Sequence, residues 1–351
     1  MTGICLGLQG GGAHGAFTWG ALERLSEEPS LAVAGISGTS AGALNGAAWK
    51  AGWLADGAAG ARAGLAELWG KVGAVRDLRL GGWMAPWIAP WNATWRLSPG
   101  ATSDLIEASP AWAMADAASR MTSPYALGPF WRNPLEPVVR DLAFDRVCAN
   151  DGPALFIGAT NVRTGKPRVF TGTDITTDAL LASACLPTLF QAVEIDDPAT
   201  GGREAYWDGG YSGNPPLFPL LTTDLPDDLV IISLNPLRRE DIPRSPQDIQ
   251  NRINEISFNA ALLRDLRAIA FVHQLMDAGE LTEGRLKRVR VHIISDDVLM
   301  NDLSVATKTL PTPGLLAQLR EAGRAAADTF LRDHGAKIGQ QSSVDLDRLT
   351  R

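Results

Sequence analysis

The sequence predicts an α/β fold in which helices cover both faces of a largely parallel central sheet. Short apolar runs bounded by turn residues alternate with segments in which apolar residues recur every three or four positions, as in strands joined by crossover helices. The 351 residues are 45% hydrophobic and 20% charged, a composition typical of folded globular proteins. A three-layer α/β/α arrangement accounts for both observations.

This alternation predicts strands over residues 4–9, 32–37, 154–161, 168–171, 192–195, 205–207, 229–234 and 289–294. It predicts helices over residues 15–27, 41–52, 60–70, 178–184, 248–279 and 313–333. The helical pattern is clearest over 248–279, where Ile249, Ile253, Ile256, Leu266 and Ile269 follow helical spacing. We therefore expect one face of that helix, carrying these side chains, to be covered.

Residues 72–135 differ in character, because prolines are frequent and no strand pattern is evident. We interpret this stretch as a Trp- and Pro-rich helical insertion or cap. Trp83, Trp87, Trp91 and Trp95 recur there at four-residue intervals. Tryptophan favours the boundary between water and acyl chains, so the four side chains form either a docking lip for a lipid surface or part of the cover of the sheet.

The pattern predicts a single α/β domain over 1–335, with C-terminal helices over 248–333 packed on it and a loosely ordered tail over 336–351. No segment approaches the roughly 18–20 apolar residues of a membrane-spanning helix, and no Lys or Arg precedes Arg24. We therefore expect a cytoplasmic protein, in peripheral contact with a membrane if the tryptophans dock. The net charge of −7 argues against nucleic acid as a partner.

A glycine loop over residues 10–15 follows the first predicted strand and precedes a helix. It satisfies G-x-G-x-x-G, which suits either a dinucleotide pyrophosphate or backbone N–H groups aimed at a developing negative charge. A nucleotide site also needs an acidic residue at the end of the second strand. That strand runs instead into Gly38, so the sequence disfavours a dinucleotide.

Residues 38–42 form a G-x-S-x-G motif between a predicted strand and a predicted helix. This is the setting of a nucleophile elbow, in which a sharp turn exposes the central serine, here Ser40. The following helix directs its N-terminal dipole at that serine, and the N–H of Ala41 would lie near an oxyanion formed there. An ordinary Gly-Ser turn is the alternative.

A base must accept the proton of Ser40. Histidines follow at His273, His292 and His334, but an ordinary α/β-hydrolase builds several strands before its elbow, whereas only one precedes the elbow strand here. Asp208 leaves a short predicted strand and is followed by two glycines, so its carboxylate can reach a neighbouring loop. A simple Asp-Gly turn is the alternative.

These three motifs, in this order and spacing, resemble the patatin-like phospholipase family, over residues 4–52 and 154–235. The resemblance implies hydrolysis of a lipid ester by a dyad of Ser40 as nucleophile and Asp208 as base, with no metal or organic cofactor. It further implies an oxyanion hole made by the amides of Gly10, Gly11, Gly12 and Ala41. The motif glycines that support these groups are Gly15, Gly38, Gly42, Gly209 and Gly210.

His14 departs from the family, which often has Arg or Lys at that position. A histidine there would titrate near neutral pH, and we expect it to have a structural role beside the glycine loop. Two other functions stay open at this point. One is an esterase acting on neutral lipid or storage polyester, and the other is a non-enzymatic nucleotide- or lipid-binding protein.

Overall fold

The computed structural model describes residues 1–75, 98–109, 123–130, 132–240, 242–244, 246–281 and 286–350. Eight strands form one sheet in the order β5-β6-β3-β2-β1-β7-β8, and β4 pairs with β3. They are β1 (Thr2–Leu8), β2 (Leu31–Thr39), β3 (Ala154–Asn161), β4 (Pro167–Thr171), β5 (Val193–Asp197), β6 (Gly202–Asp208), β7 (Asp228–Ile232) and β8 (Arg290–Ile294). The five strands from β3 to β8 in this order pair in parallel, while β4, β5 and β6 pair antiparallel.

The α-helices of the described residues include all six segments predicted as helical. They are α1 (Gly15–Ser26), α2 (Ala41–Val75), α3 (Pro99–Glu107), α4 (Glu136–Arg140), α5 (Phe144–Val147), α6 (Thr177–Ser183), α7 (Pro246–Asp277), α8 (Asp297–Asn301), α9 (Val305–Thr309), α10 (Pro313–His334) and α11 (Leu346–Thr350). The two helices predicted over 41–52 and 60–70 are the halves of α2, which is broken by non-helical backbone at Asp56 and Gly57.

Helices cover both faces of the sheet, as predicted. Alternate side chains of a strand point to opposite faces, so Leu6 belongs to one core and Cys5 to the other. The first core is packed by α1, α2 and α10. The second is packed by α7, whose Leu262, Leu266 and Ile269 are buried. The sheet is therefore the middle layer of three, and α2 and α7 lie on opposite faces of it.

The covered face of α7 differs in part from the predicted one. Leu266 and Ile269 are buried, but Ile249, Ile253 and Ile256 are 43%, 53% and 54% exposed. The first half of α7 instead borders a cavity with other residues, among them Asn251, Asn254 and Phe258. Helical spacing identified the helix correctly, but it could not show which part of its apolar face is buried.

Part of the predicted insertion over 72–135 is described, including α3, whose Ile106 packs with Ala306 and Leu310. Trp83, Trp87, Trp91 and Trp95 lie outside the described residues, so the docking lip stays a prediction. None of the helices in the described part of the chain has the length and apolar character needed to cross a bilayer.

The segment after α10 is packed, so the prediction of a loosely ordered tail was wrong for residues 336–350. Gly339 N donates to Asp228 Oδ1 at 2.8 Å. Ser343 N donates to Val291 O at 3.1 Å, and Val291 N donates to Ser342 Oγ at 3.0 Å. Because β8 is the last strand of the sheet, its outer backbone groups need partners, and this polar segment supplies them.

Candidate active site

Ser40 occupies the turn between β2 and α2 with a φ of 56°. A non-glycine residue in this left-handed region stores about 1–3 kcal/mol of strain, and such residues cluster at functional sites. The flanking glycines are required by close packing: a Cβ on Gly38 would lie 2.6 Å from Gly42 O, and one on Gly42 would lie 2.1 Å from Leu8 O. The geometry is that of the predicted nucleophile elbow.

A buried serine that the sequence analysis did not single out fixes this turn. Ser40 N donates to Ser183 Oγ at 2.9 Å, and Ser183 Oγ donates to Gly158 O at 2.6 Å. Ser183 is fully buried at the end of α6. It therefore ties the elbow to β3 through its single hydroxyl.

Sheet register brings Asp208 to the elbow. Thr39 pairs with Gly158 and Asp208 pairs with the next residue, Ala159, both on the edge of β3 opposite to β4. The backbone of Asp208 is held at both groups, since its N–H donates to Cys185 O at 2.8 Å and its carbonyl accepts from Thr160 Oγ1 at 2.9 Å. The ends of β2 and β6 therefore meet at neighbouring positions along one edge of β3.

The carboxyl of Asp208 is fully buried. Burial raises its pKa to about 7, against the opposing effects of the Gly210 amide and the Ser40 hydroxyl. Gly210 N donates to Oδ1 at 2.8 Å, whereas Oδ2 has no hydrogen-bond partner. The Ser40 hydroxyl is thus close enough to lower the pKa of Asp208, although it makes no hydrogen bond to Oδ2. Hydrogen bonds between catalytic groups often shorten only when substrate binds.

The glycine loop lies against the elbow, because a Cβ on Gly10 would be 2.7 Å from the Cβ of Ser40. The amide of Gly10 already donates to Asn214 Oδ1 at 2.7 Å. Since Asn214 is fully buried and needs that donor, Gly10 N–H is not available to an oxyanion, which corrects the expectation for this residue. Gly11, Gly12 and Ala41 line the same cavity as Ser40 and Asp208.

The remaining motif glycines allow close approaches around the site. A Cβ on Gly15 would lie 2.5 Å from the Cβ of Ala41. On Gly209 it would lie 2.2 Å from Gly158 O, and on Gly210 it would lie 2.8 Å from the ring of Phe258. A side chain at any of these positions would push the elbow, β3 or α7 away from Asp208.

His14 is buried, and its Nε2 lies 2.8 Å from Thr307 Oγ1. Burial, with a contribution from Lys308, lowers its pKa well below the ordinary value, so it stays neutral near pH 7, contrary to the expected titration. His292 is also buried and pairs with Asp228 at 3.1 Å. Neither histidine lines the cavity that contains Ser40.

That cavity has a volume of about 440 Å³ and is lined by both apolar and polar residues. Its apolar lining includes Leu44, Leu68, Trp69, Val72, Leu186 and Phe190. Its polar lining includes Asn235, Gln250, Asn251, Asn254, Glu255 and Lys308. Within the described ranges, no group of three or more His, Cys, Asp or Glu side chains is arranged to hold a metal ion.

A family model described as patatin-like phospholipase matches residues 6–221 of the chain. No curated protein matches it. Among solved structures, the crystal structure of VipD from Legionella pneumophila is similar, with a TM-score of 0.41 and 15% identity, over 95% of this chain and 67% of that chain. Because the family match covers more than half of the sequence and includes both Ser40 and Asp208, the chain belongs to the patatin-like phospholipase family.

Proposed function

We propose that the protein is a serine lipid acyl hydrolase that cleaves carboxylic esters of phospholipids by a Ser40–Asp208 dyad. The observation that carries the proposal is the pairing of a strained serine with a buried carboxyl whose Oδ2 has no partner, at one cavity. A pKa of about 7 suits Asp208 to accept and return a proton near neutral pH.

In the first step, Asp208 Oδ2 accepts the hydroxyl proton of Ser40 as the serine oxygen attacks the ester carbonyl. The carbonyl oxygen becomes negatively charged. The N–H groups of Gly11, Gly12 and Ala41 stabilise it, aided by the N-terminal end of α2. The alcohol then leaves with the proton held by Asp208, and the acyl group remains on Ser40.

In the second step, Asp208 accepts a proton from water while the water oxygen attacks the acyl-enzyme. The second tetrahedral intermediate uses the same amides. It breaks down to a fatty acid, and the proton returns to the oxygen of Ser40. No group beyond the chain and water is needed to balance either step.

The apolar lining of the cavity supports a lipid acyl group as the part of the substrate bound there. An esterase for neutral lipid or storage polyester would use the same dyad. Only the class of ester that is hydrolysed distinguishes such an esterase from a phospholipase. Contact with a membrane through the four tryptophans and a cytoplasmic location remain predictions from the sequence.

Labelling with a fluorophosphonate, together with turnover of phospholipid, triacylglycerol and short-chain esters, tests the proposal. We expect wild type to label and to hydrolyse phospholipid, Ser40→Ala to do neither, and Asp208→Asn to lose at least a thousandfold in kcat. Folding of both variants is checked by circular dichroism. A wild-type chain that neither labels nor hydrolyses any ester would instead support a non-enzymatic binding protein.

A further inference from the structure

Lys308 lies beside the glycine loop at the cavity. A Cβ on Gly12 would be 2.4 Å from Lys308 O, so α9 packs directly on the loop that carries two of the proposed oxyanion amides. Lys308 lines the cavity together with Ser40. The dyad mechanism gives this cation no role.

Lys308 belongs to a cluster with an excess of positive charge. Glu255 accepts hydrogen bonds from Arg239 at 2.8 Å through both Oε1 and Oε2. Arg252 Nη1 lies 3.3 Å and Lys308 Nζ 3.4 Å from the same carboxylate. Although burial alone would raise the pKa of Glu255, these cations lower it to about 2. With Asp248, which also acts on Arg239, two negative charges face three positive ones.

The ammonium of Lys308 has more N–H donors than the two acceptors that it contacts. Its Nζ donates to Asn251 Oδ1 at 3.1 Å and to Glu255 Oε1 at 3.4 Å. An ammonium has three N–H donors, so these two contacts leave one. Burial lowers the pKa of Lys308, and the ion pair with Glu255 opposes this effect by favouring the charged form.

The polarity of the cavity sets the direction of a bound lipid. Its apolar lining comes in part from α2, on one face of the sheet, and its polar lining from the first half of α7, on the other face, and from Lys308. Ser40 and the glycine loop line the same cavity. In a glycerophospholipid the phosphate is attached to the glycerol that bears the scissile ester, so the two ends of the molecule match the two sides.

We propose that Lys308 binds the phosphate of a glycerophospholipid headgroup and thereby selects phosphate-bearing lipids over uncharged esters. This inference rests on the proposed hydrolase function. A charge-assisted hydrogen bond to a phosphate in a partly buried site accounts for a selectivity of about ten- to a hundredfold.

The test compares 1-acylglycerol 3-phosphate with 1-acylglycerol of the same chain length, both as monomers. We expect wild type to have the higher kcat/KM for the phosphorylated lipid. Lys308→Gln should lower the ratio of the two kcat/KM values at least tenfold, and Lys308→Arg should restore most of it. Lys71→Gln is the matched control, because Lys71 pairs with Glu67 and Asp141 away from the cavity.

Two outcomes would overturn the proposal: no preference for the phosphorylated lipid in wild type, or an unchanged ratio in Lys308→Gln, including an equal loss on both lipids. If the variants fail to fold, the ratio of the two kcat/KM values in wild type still tests the proposal. Inhibition of 1-acylglycerol hydrolysis by inorganic phosphate, without preference for the phosphorylated lipid, would assign the site to free phosphate and contradict headgroup binding. Hydrolysis of neither lipid nor any other ester would instead remove the proposed function itself.

Discussion

The hydroxyl of Ser183 accepts a hydrogen bond from the backbone N–H of Ser40 and donates one to the carbonyl of Gly158. Ser40 has a φ of 56°, a left-handed conformation that residues other than glycine rarely adopt. The contact therefore supplies, from α6, part of the energy that holds the nucleophile in its turn. It also couples the position of Ser40 to β3, the strand that positions Asp208.

Replacing Ser183 with Ala removes both hydrogen bonds, including the one that the buried backbone N–H of Ser40 donates. We expect the free energy of unfolding to fall by about 1–3 kcal/mol and kcat to fall tenfold or more, measured by urea denaturation and ester turnover. Ser26→Ala is the control, since Ser26 Oγ also links a donor and an acceptor, Trp49 and Leu22. It should lose stability alone; equal kcat values for the two variants would contradict the role given to Ser183.

The pKa of Asp208 predicts the pH dependence of catalysis. Because the carboxyl must be ionised to act as a base and titrates at about 7, kcat/KM for an uncharged ester should fall about tenfold for each pH unit below that value and level off above it. A pH–rate profile from pH 5 to 9 measures this. A profile that is flat down to pH 5 would show that the base titrates far below 7.

The same shift predicts that the catalytic carboxyl destabilises the fold at alkaline pH. Its pKa rises from 3.8 to about 7 on folding, so the contribution of this group to stability is fully present below the unfolded pKa and is lost as the pH rises through the folded pKa. Asp208→Asn should therefore be more stable than wild type by about 4 kcal/mol at pH 8, as measured by urea denaturation, and should differ little from wild type at pH values below the unfolded pKa of 3.8. A less stable variant at pH 8 would contradict this.

A methyl group at residue 10 should disrupt the elbow. The Cβ of Gly10→Ala would meet Ser40 Cβ at 2.7 Å and Thr39 O at 2.9 Å, so we expect a lower melting temperature and a loss of turnover of a hundredfold or more. Gly70→Ala is the control, because a Cβ there meets nothing within 4 Å in the middle of a helix. That variant should gain up to about 1 kcal/mol. Similar behaviour of the two would rule out the packing argument.

The features that sequence predicted well have local signatures. The five parallel strands are largely apolar runs between turn residues. Ser40 and Asp208 each stand in a glycine motif that indicates a tight turn. Ser183 and Asn214 have no such signature, because they act on Ser40 and Gly10 through contacts across 143 and 204 positions. For the same reason the amide of Gly10 was assigned to the oxyanion hole, since its acceptor is distant in sequence.

The cluster around Glu255 was not predicted for a related reason. Arg239, Arg252 and Lys308 come from a loop, α7 and α9, and none of them stands in a motif. The tail was misjudged because polar composition is typical of disorder. In this protein the polar atoms of that segment form hydrogen bonds with an edge strand. This role depends on the position of β8 at the edge of the sheet, which the sequence of the segment does not indicate.

That edge has a consequence for handling the protein. Residues 339–343 occupy backbone groups of β8 and a carboxylate of β7, so trimming the chain before residue 339 would bare an apolar strand at the margin of the sheet. Bare strands of this kind recruit strands of other molecules. A shortened version would thus be prone to aggregate through intermolecular β-pairing, even with every residue of the dyad in place.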